Sequence, residues 1–264
     1  MLLSKNQIKI VVFLTALGGL FGLILNNRPA LADNTAKPFS EKVPVLMYHY
    51  ISAAPATTTL PGLYLDPKIF SNQLAELKKD GYKTIFVSDL AISLRAEEKL
   101  ADKPIVLTFD DGYEDFYTQA YPILKEYGFK ATLYVIINRL DTPGYLTKEQ
   151  VKELASGGMV EIGSHTFNHP DLRTLKNRAA GFEIKDSRAA LSKISGASIL
   201  TFAYPFGYQT PADWAMVSSA DYLGAVGTQP GVCQSMSDIW LIKRLRPDNR
   251  QGPVFSKWLA DWLK

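Results

Sequence analysis

Apolar residues along this chain fall in short dense runs, set apart by stretches in which apolar positions recur every third or fourth residue. The dense runs lie at residues 43–48, 83–88, 104–109, 131–136, 159–164, 199–204, 223–228 and 241–246 and read as strands. Several are apolar almost throughout, as strands buried on both faces of a parallel sheet are. Between them lie helical patterns. "DPKIFSNQLAELKKDGY" opens on Asp-Pro and stops at Gly81, and "FYTQAYPILKEYGF" closes near Gly128. "TKEQVKELASGG" has Thr147 as an N-cap with Gln150 three residues on, the spacing of a capping box. Strands alternating with helices predict a parallel sheet with crossover helices, and the number of units predicts closure into a distorted (β/α)7–8 barrel. No repeat, heptad or low-complexity tract divides the chain, so one domain is expected over 43–264. The stretch "AAPATTTLPGLYLDP" is long for a connection and reads either as the rim of a binding site or as a surface excursion.

Composition narrows the function classes. With 264 residues, 47% of them apolar, the chain has ample material for a buried core. The 29 basic and 26 acidic residues are well mixed, with no basic block of the kind that tracks phosphates, which argues against nucleic acid as a partner. The one cysteine, Cys233, cannot form an internal disulfide and does not set the redox compartment.

The N-terminus says more. Lys5 and Lys9 precede "IVVFLTALGGLFGLIL", and the small residues Ala30 and Ala32 follow it, the pattern of a signal peptide over 1–32 cut after Ala32. A linker over 33–42 would lead into the domain. The competing reading is an uncleaved anchor, because Ile8 to Leu25 approaches the roughly 20 residues needed to span a bilayer. Either way the remainder is expected outside the cytoplasm: secreted, periplasmic or at the cell envelope. Membrane contact is expected only through that segment.

Active sites of (β/α) barrels are built at the C-terminal ends of the strands. His49, the pair Asp110–Asp111, His165 and the "PFG" of 205–207 all follow dense apolar runs. His165 and His169 stand at i and i+4, one helical turn apart, so that both imidazoles can chelate one cation. A carboxylate would complete a two-histidine, one-carboxylate set with positions left open. Asp110 and Asp111 would point to opposite faces of an extended strand, but Gly112 permits a turn that brings both to one site. One could then bind the cation while its neighbour takes a proton, and the cation would remove the repulsion between them. A plain surface turn is the alternative for "DDG".

Taken together, "TFDDGY", then "SHTFNH", then "FAYPFG" resemble the NodB-homology polysaccharide deacetylases, carbohydrate esterase family 4, over roughly Pro104 to Pro247. "PVLMYHYI" further resembles the branch that de-N-acetylates poly-β-1,6-N-acetylglucosamine in biofilms. The resemblance implies a hydrolase of linear amide bonds that removes N-acetyl groups from an N-acetylglucosamine-containing polysaccharide. It implies Asp110 as base and Asp111, His165 and His169 as ligands of zinc, with cobalt or nickel as substitutes. Pro205 and Phe206 fall where the family binds the oxyanion through a backbone N–H, with Tyr204 beside them. A monomer acting on a polysaccharide is expected. Tyr113, Tyr145, Tyr204, Tyr208 and Trp214 are candidates for stacking on sugars, of which one or two are expected to do so.

Two departures from the family stand out. Many members carry an arginine that orients the base where this chain has Ala203, which leaves Arg244 or Arg246 as substitutes. The family's late Leu-x-His motif is absent, since no histidine follows His169, and the resemblance to the biofilm-associated branch implies His49, the histidine of "MYH", as the general acid. The alternatives are a metal-independent glycoside hydrolase on the same barrel, with an aspartate of the pair and a distant carboxylate, and a degenerate protein that only binds glycans.

Overall fold

A computed structural model describes residues 38–264. The expected signal segment, 1–32, and the first part of the linker lie outside the described residues. Strands form at β1 (Ser40–Lys42), β2 (Val45–Tyr48), β3 (Lys83–Ile85), β4 (Pro104–Phe109), β5 (Ala131–Val135), β6 (Val160–Ser164), β7 (Thr201–Ala203), β8 (Gly224–Val226) and β9 (Cys233–Ser235). Parallel pairing runs β2-β4-β5-β6-β7-β8, and β3 pairs with the first half of β4.

Residues 241–246 were expected as an eighth barrel strand, but they form only two bridges, Ile242 with Val226 and Leu245 with Leu46. Those bridges lie on opposite sides, so the segment joins β8 to β2 and closes the barrel. Ile242 donates to Ala225 O (2.8 Å) and Leu245 to Val45 O (2.8 Å). A regular ladder is interrupted because the intervening amides are used elsewhere, Lys243 N on Gln234 Oε1 and Arg244 N on Gln229 O. A second correction concerns the linker: Ser40–Lys42 pair antiparallel with β9 instead of leading in as loose chain.

The helices are α1 (Pro67–Lys79), α2 (Val87–Ala96), α3 (Tyr121–Tyr127), α4 (Lys148–Ser156), α5 (Asn177–Gly181), α6 (Ser187–Ser195), α7 (Pro211–Ser219) and α8 (Gly252–Trp262). Asp66 caps α1, Thr147 and Gln150 form the expected capping box on α4, and Gly128 ends α3 in the left-handed region. The run 83–88 does not continue as strand. Asp89 Oδ2 accepts from Phe86 N (3.0 Å), an N-terminal cap that starts α2 inside an apolar stretch.

Strand residues alternate between two cores. Leu46, Leu107, Phe109, Leu133, Val135 and Phe202 face outward to the helices. Val45, Val106, Tyr134, Ala203, Val226 and Ile242 face inward, joined by Val87, Leu90 and Leu94 of α2. Val87 N donates to Thr132 Oγ1 (3.1 Å) near the start of β5, so α2 covers the N-terminal end of the barrel. The other end stays open, and each inward row climbs to it: Val45, Met47, His49; Val106, Thr108, Asp110; Glu161, Gly163, His165; Ile242, Arg244, Arg246. Phe109 is wholly buried against Tyr48, Phe70 and Phe116, directly before the Asp-Asp pair. Its truncation to alanine would cost about 3–5 kcal/mol.

Candidate active site

The chain turns sharply where β4 ends. Asp110 N still donates to Tyr48 O (3.0 Å), but Asp111 (φ 76°) and Gly112 (φ 75°) are both left-handed. The turn thus starts one residue earlier than Gly112, on a side chain that accepts this conformation at a cost of about 1–2 kcal/mol. Both carboxylates consequently line one cleft of about 370 Å³, together with His49, His165, His169 and Phe206.

Asp111, His165 and His169 meet there. Asp111 Oδ1 lies 3.4 Å from His165 Nε2 and 3.5 Å from His169 Nε2, and the two nitrogens are 3.2 Å apart. Three atoms at these separations match edges of a tetrahedron whose centre lies about 2.0–2.1 Å from each corner, the length of zinc–nitrogen and zinc–oxygen bonds. His165 Nδ1 donates to Ala203 O (2.8 Å), so that its neutral tautomer would present a bare Nε2 to the others, while Asp111 and Asp110 outweigh burial and raise the pKa of the ring. Burial presses His169 down to about 4, so that its ring stays neutral at ordinary pH. The donor set and its tautomer therefore fit a divalent cation.

The two histidines are not on a helix, as their spacing suggested. They bracket a loop in which Thr166 (φ 70°) and His169 (φ 58°) are left-handed. Buried Glu183 holds that loop, its carboxylate accepting from Phe167 N (2.8 Å), Asn168 N (3.0 Å) and Asn168 Nδ2 (2.6 Å). Thr166 Oγ1 accepts from His169 N (2.8 Å). Three amides thus bond to side-chain oxygens instead of helical carbonyls, and the imidazoles converge through loop geometry.

Asp110 has a different environment. Arg244, 1% exposed, grips it with two parallel bonds, Nη1 to Oδ1 and Nη2 to Oδ2, each 2.7 Å. Arg244 Nε donates to Gly227 O (2.7 Å) and Nη1 also to Thr108 Oγ1 (3.1 Å), which fixes the fork itself. Burial alone would raise the Asp110 carboxyl, but the Arg244 charge and hydrogen bonds outweigh it and hold the group well below the usual carboxylate range. Of the two arginines offered as substitutes at Ala203, Arg244 is the one that orients Asp110. Ala203 is itself an inward residue of β7, fully buried in the inner core. His49 Nε2 stands 4.0 Å from Asp110 Oδ2. Burial lowers the His49 pKa more than the two aspartates raise it.

Phe206 forms the opposite wall. It is left-handed (φ 59°) after Pro205, and its ring, 55% exposed, packs edge-on against His169 at 4.5 Å. Gly207 must be glycine, since a Cβ there would lie 2.1 Å from Thr228 Oγ1. Tyr204 borders the cleft, but it is 1% exposed and its ring packs on Phe202 in the outer core, which corrects its reading as a sugar platform. Tyr113 borders the cleft too, while exposed Tyr208 lies beside Phe206 with Arg173 stacked on it at 3.7 Å. Tyr145 and Trp214 are not among the residues lining the cleft. Leu60 and Leu63 of the long loop do line it, so that loop is a rim.

Residues 97–225 match the family described as Polysaccharide deacetylase. YxkH of Bacillus subtilis (strain 168), whose name describes a polysaccharide deacetylase, is 32% identical over 226 residues, covering 85% of this chain and 78% of its own. The chain belongs to the polysaccharide deacetylase family. The solved structure of Streptococcus pyogenes deacetylase PplD in complex with acetate is 31% identical, with a TM-score of 0.78 over 86% of this chain and all of that one (100%). The poly-beta-1,6-N-acetyl-D-glucosamine N-deacetylase of Staphylococcus aureus (strain MRSA252) is 24% identical over 203 residues, 72% of this chain and 70% of its own. The distorted barrel expected from the apolar runs is the fold of this polysaccharide deacetylase.

Glu183, which orders the loop of this deacetylase between its histidines, escaped the sequence reading. It sits in a wide helical turn at Phe182–Asp186, where an acidic residue among "FEIKD" looks like any solvated helix position. Its burial was the missing signal, and periodicity alone does not supply it.

Proposed function

We propose that this polysaccharide deacetylase removes N-acetyl groups from an N-acetylglucosamine-containing polysaccharide, with a divalent metal held by Asp111, His165 and His169. The observation that carries the reading is the convergence of those three donors beside an aspartate fixed as an anion by Arg244. When bound, such a cation supplies electrophilic polarisation of the acetamide carbonyl and acidifies water. Zinc suits one oxygen and two nitrogen donors, with cobalt or nickel able to replace it.

Asp110, ionised and held at both oxygens, takes the proton from attacking water as general base. Phe206 offers its backbone N–H to the developing oxyanion, a contact worth about 3 kcal/mol in other hydrolases. His49, across the cleft from the ligand loop, delivers a proton to the departing amine. The name of the S. aureus relative supports a poly-β-1,6-linked substrate, with chitin oligomers, peptidoglycan and acetylated xylan as the competing polymers. Action outside the cytoplasm, by way of the segment 1–32, belongs to the same reading, as does function as a monomer.

The test is to incubate purified protein and zinc with each of the four polymers and measure both acetate and new reducing ends. Acetate without chain cleavage is expected, with the greatest rate on poly-β-1,6-N-acetylglucosamine. Reducing ends without acetate would favour a glycoside hydrolase, and neither product would favour a glycan-binding role.

A further inference from the structure

The parallel pairing that closes the barrel stops just below the cleft. Leu245 accepts from Met47 N (2.9 Å) and donates to Val45 O (2.8 Å), so the next rung would join residue 247 to Met47 and His49. That residue is Pro247, which has no N–H to give, and its carbonyl accepts from Arg250 Nη1 (3.2 Å) instead. His49 therefore lies past the end of the ladder. Its imidazole approaches Asp110 at 4.0 Å, outside hydrogen-bond reach, so its place depends on how the end of β2 is held.

Gln73 takes over where the ladder ends. It stands on the buried face of α1 beside Phe70, Leu74 and Leu77, where a leucine would carry no desolvation cost. Wholly buried, it has three partners: Nε2 donates to the carbonyls of Asp248 (2.8 Å) and Arg250 (2.7 Å), and Oε1 accepts from Tyr48 Oη (3.0 Å). One side chain thereby joins the last residue of β2 to the turn that follows the closing segment. Tyr48 adjoins both groups proposed to move protons, since it precedes His49 in the chain and its carbonyl accepts from Asp110 N (3.0 Å). Its ring is stacked on Phe109 at 5.1 Å and edge-on to Phe70 at 5.2 Å, which aims the hydroxyl at Gln73. Asn72 beside it bonds Gln251 Oε1 (2.8 Å), but that link is exposed and does not touch β2.

We infer that Gln73 is a positioning residue for the proposed acid–base pair: through Tyr48 and the turn at 248–250 it replaces the rung that Pro247 cannot make and fixes His49 relative to Asp110 and Arg244. The inference rests on the deacetylase reading, in which His49 and Asp110 move the protons, and adds to it a residue that does not line the cleft. A misplacement of about 1 Å in such a pair costs on the order of 10²-fold in rate.

The test measures acetate release from an N-acetylglucosamine oligomer by zinc-loaded protein, together with zinc affinity and denaturant melts, for Tyr48→Phe and Gln73→Met, each in the wild-type and His49→Gln backgrounds. Tyr48→Phe removes one of the three bonds and keeps the ring, while Gln73→Met removes all three and keeps the length of the side chain. In the wild-type background kcat is expected to fall about threefold in Tyr48→Phe and about tenfold in Gln73→Met, with KM and zinc affinity each within about twofold. His49→Gln should itself lower kcat by about 10²-fold, and neither change should lower it further there, because the residue being positioned is gone. Equal fold losses in both backgrounds, or reduced stability with wild-type kcat per folded molecule, would show a purely structural role and overturn the inference while leaving the deacetylase reading in place. Should Gln73→Met not fold, Tyr48→Phe decides by the same comparison. Undiminished kcat in His49→Gln removes the proposed acid and the inference with it, and no acetate from wild-type protein brings down the deacetylase reading as well.

Discussion

Asp110 and the histidine pair face each other across one cleft, yet the two walls are held in different ways. Asp110 ends a central strand and is clamped by Arg244, 134 residues further along the chain, on the segment that closes the barrel. His165 and His169 sit on a loop with left-handed residues, tied at Phe167 and Asn168 by Glu183, only 16 and 15 residues further on. The first wall is made by tertiary closure and the second by local loop chemistry. The group proposed as base, for which one charge and one orientation matter, is built on the rigid frame. The histidines proposed as ligands, which a bound cation would itself help to order, are built on the loop.

The comparison is broken most severely at Asp110. Asp110→Asn keeps the shape of the carboxyl and loses its basicity, so kcat should fall by about 10³-fold or more while cation binding persists. Near-normal turnover would remove Asp110 from the role of base.

Loss of Arg244 attacks the same wall from behind. In Arg244→Met, Asp110 would be left buried without its partner, and unfolding stability should drop by about 3–5 kcal/mol, read from denaturant melts. The pH dependence should change with it. With Arg244 present the folded-state pKa of Asp110 is depressed, so the stabilisation is present above the unfolded value and is lost as pH falls through the folded one. Without Arg244, burial acts unopposed and raises that pKa, so the acid limb of the kcat/KM profile should move to higher pH. An acid limb that stays in place would show that Arg244 supports the fold and does not tune the base.

On the opposite wall a smaller effect is expected. Glu183→Gln keeps the size of the side chain and loses the charge that three N–H groups share, so metal affinity should weaken about tenfold in a competition titration. Unchanged affinity would mean that the histidine loop orders itself. The smallest effect belongs to the exposed ring of Phe206. Phe206→Ala keeps the backbone N–H and should raise KM a few-fold with kcat nearly unchanged, and a collapse of kcat would point to the ring itself as part of the catalytic geometry.

This division also explains what could be read from the amino-acid sequence. That Asp111, His165 and His169 come together was legible because metal-ligand chemistry restricts residue type and because Asp111 and His165 lie just past the ends of apolar strands. The Arg244–Asp110 pair was legible only as a choice between two arginines, since no local pattern reports which side chain crosses a barrel to a strand formed more than a hundred residues earlier. The barrel followed from the alternation of strands and helices. The start of α2 did not, because the cap from Asp89 to Phe86 lies inside a run whose residues suit a strand equally well. The histidine spacing misled for a related reason: i and i+4 adjacency fits a helix, but Glu183 and Thr166 supply the amides with other partners.

The central claim is that Asp111, His165 and His169 hold the metal on which acetate release depends. It is tested most directly by stripping the protein with a chelator, then titrating zinc, cobalt or nickel back while following bound metal and acetate together. Activity should vanish on stripping and return in proportion to one metal bound per chain, and His165→Ala should neither bind tightly nor recover. Acetate released at the full rate by metal-free protein would contradict the account.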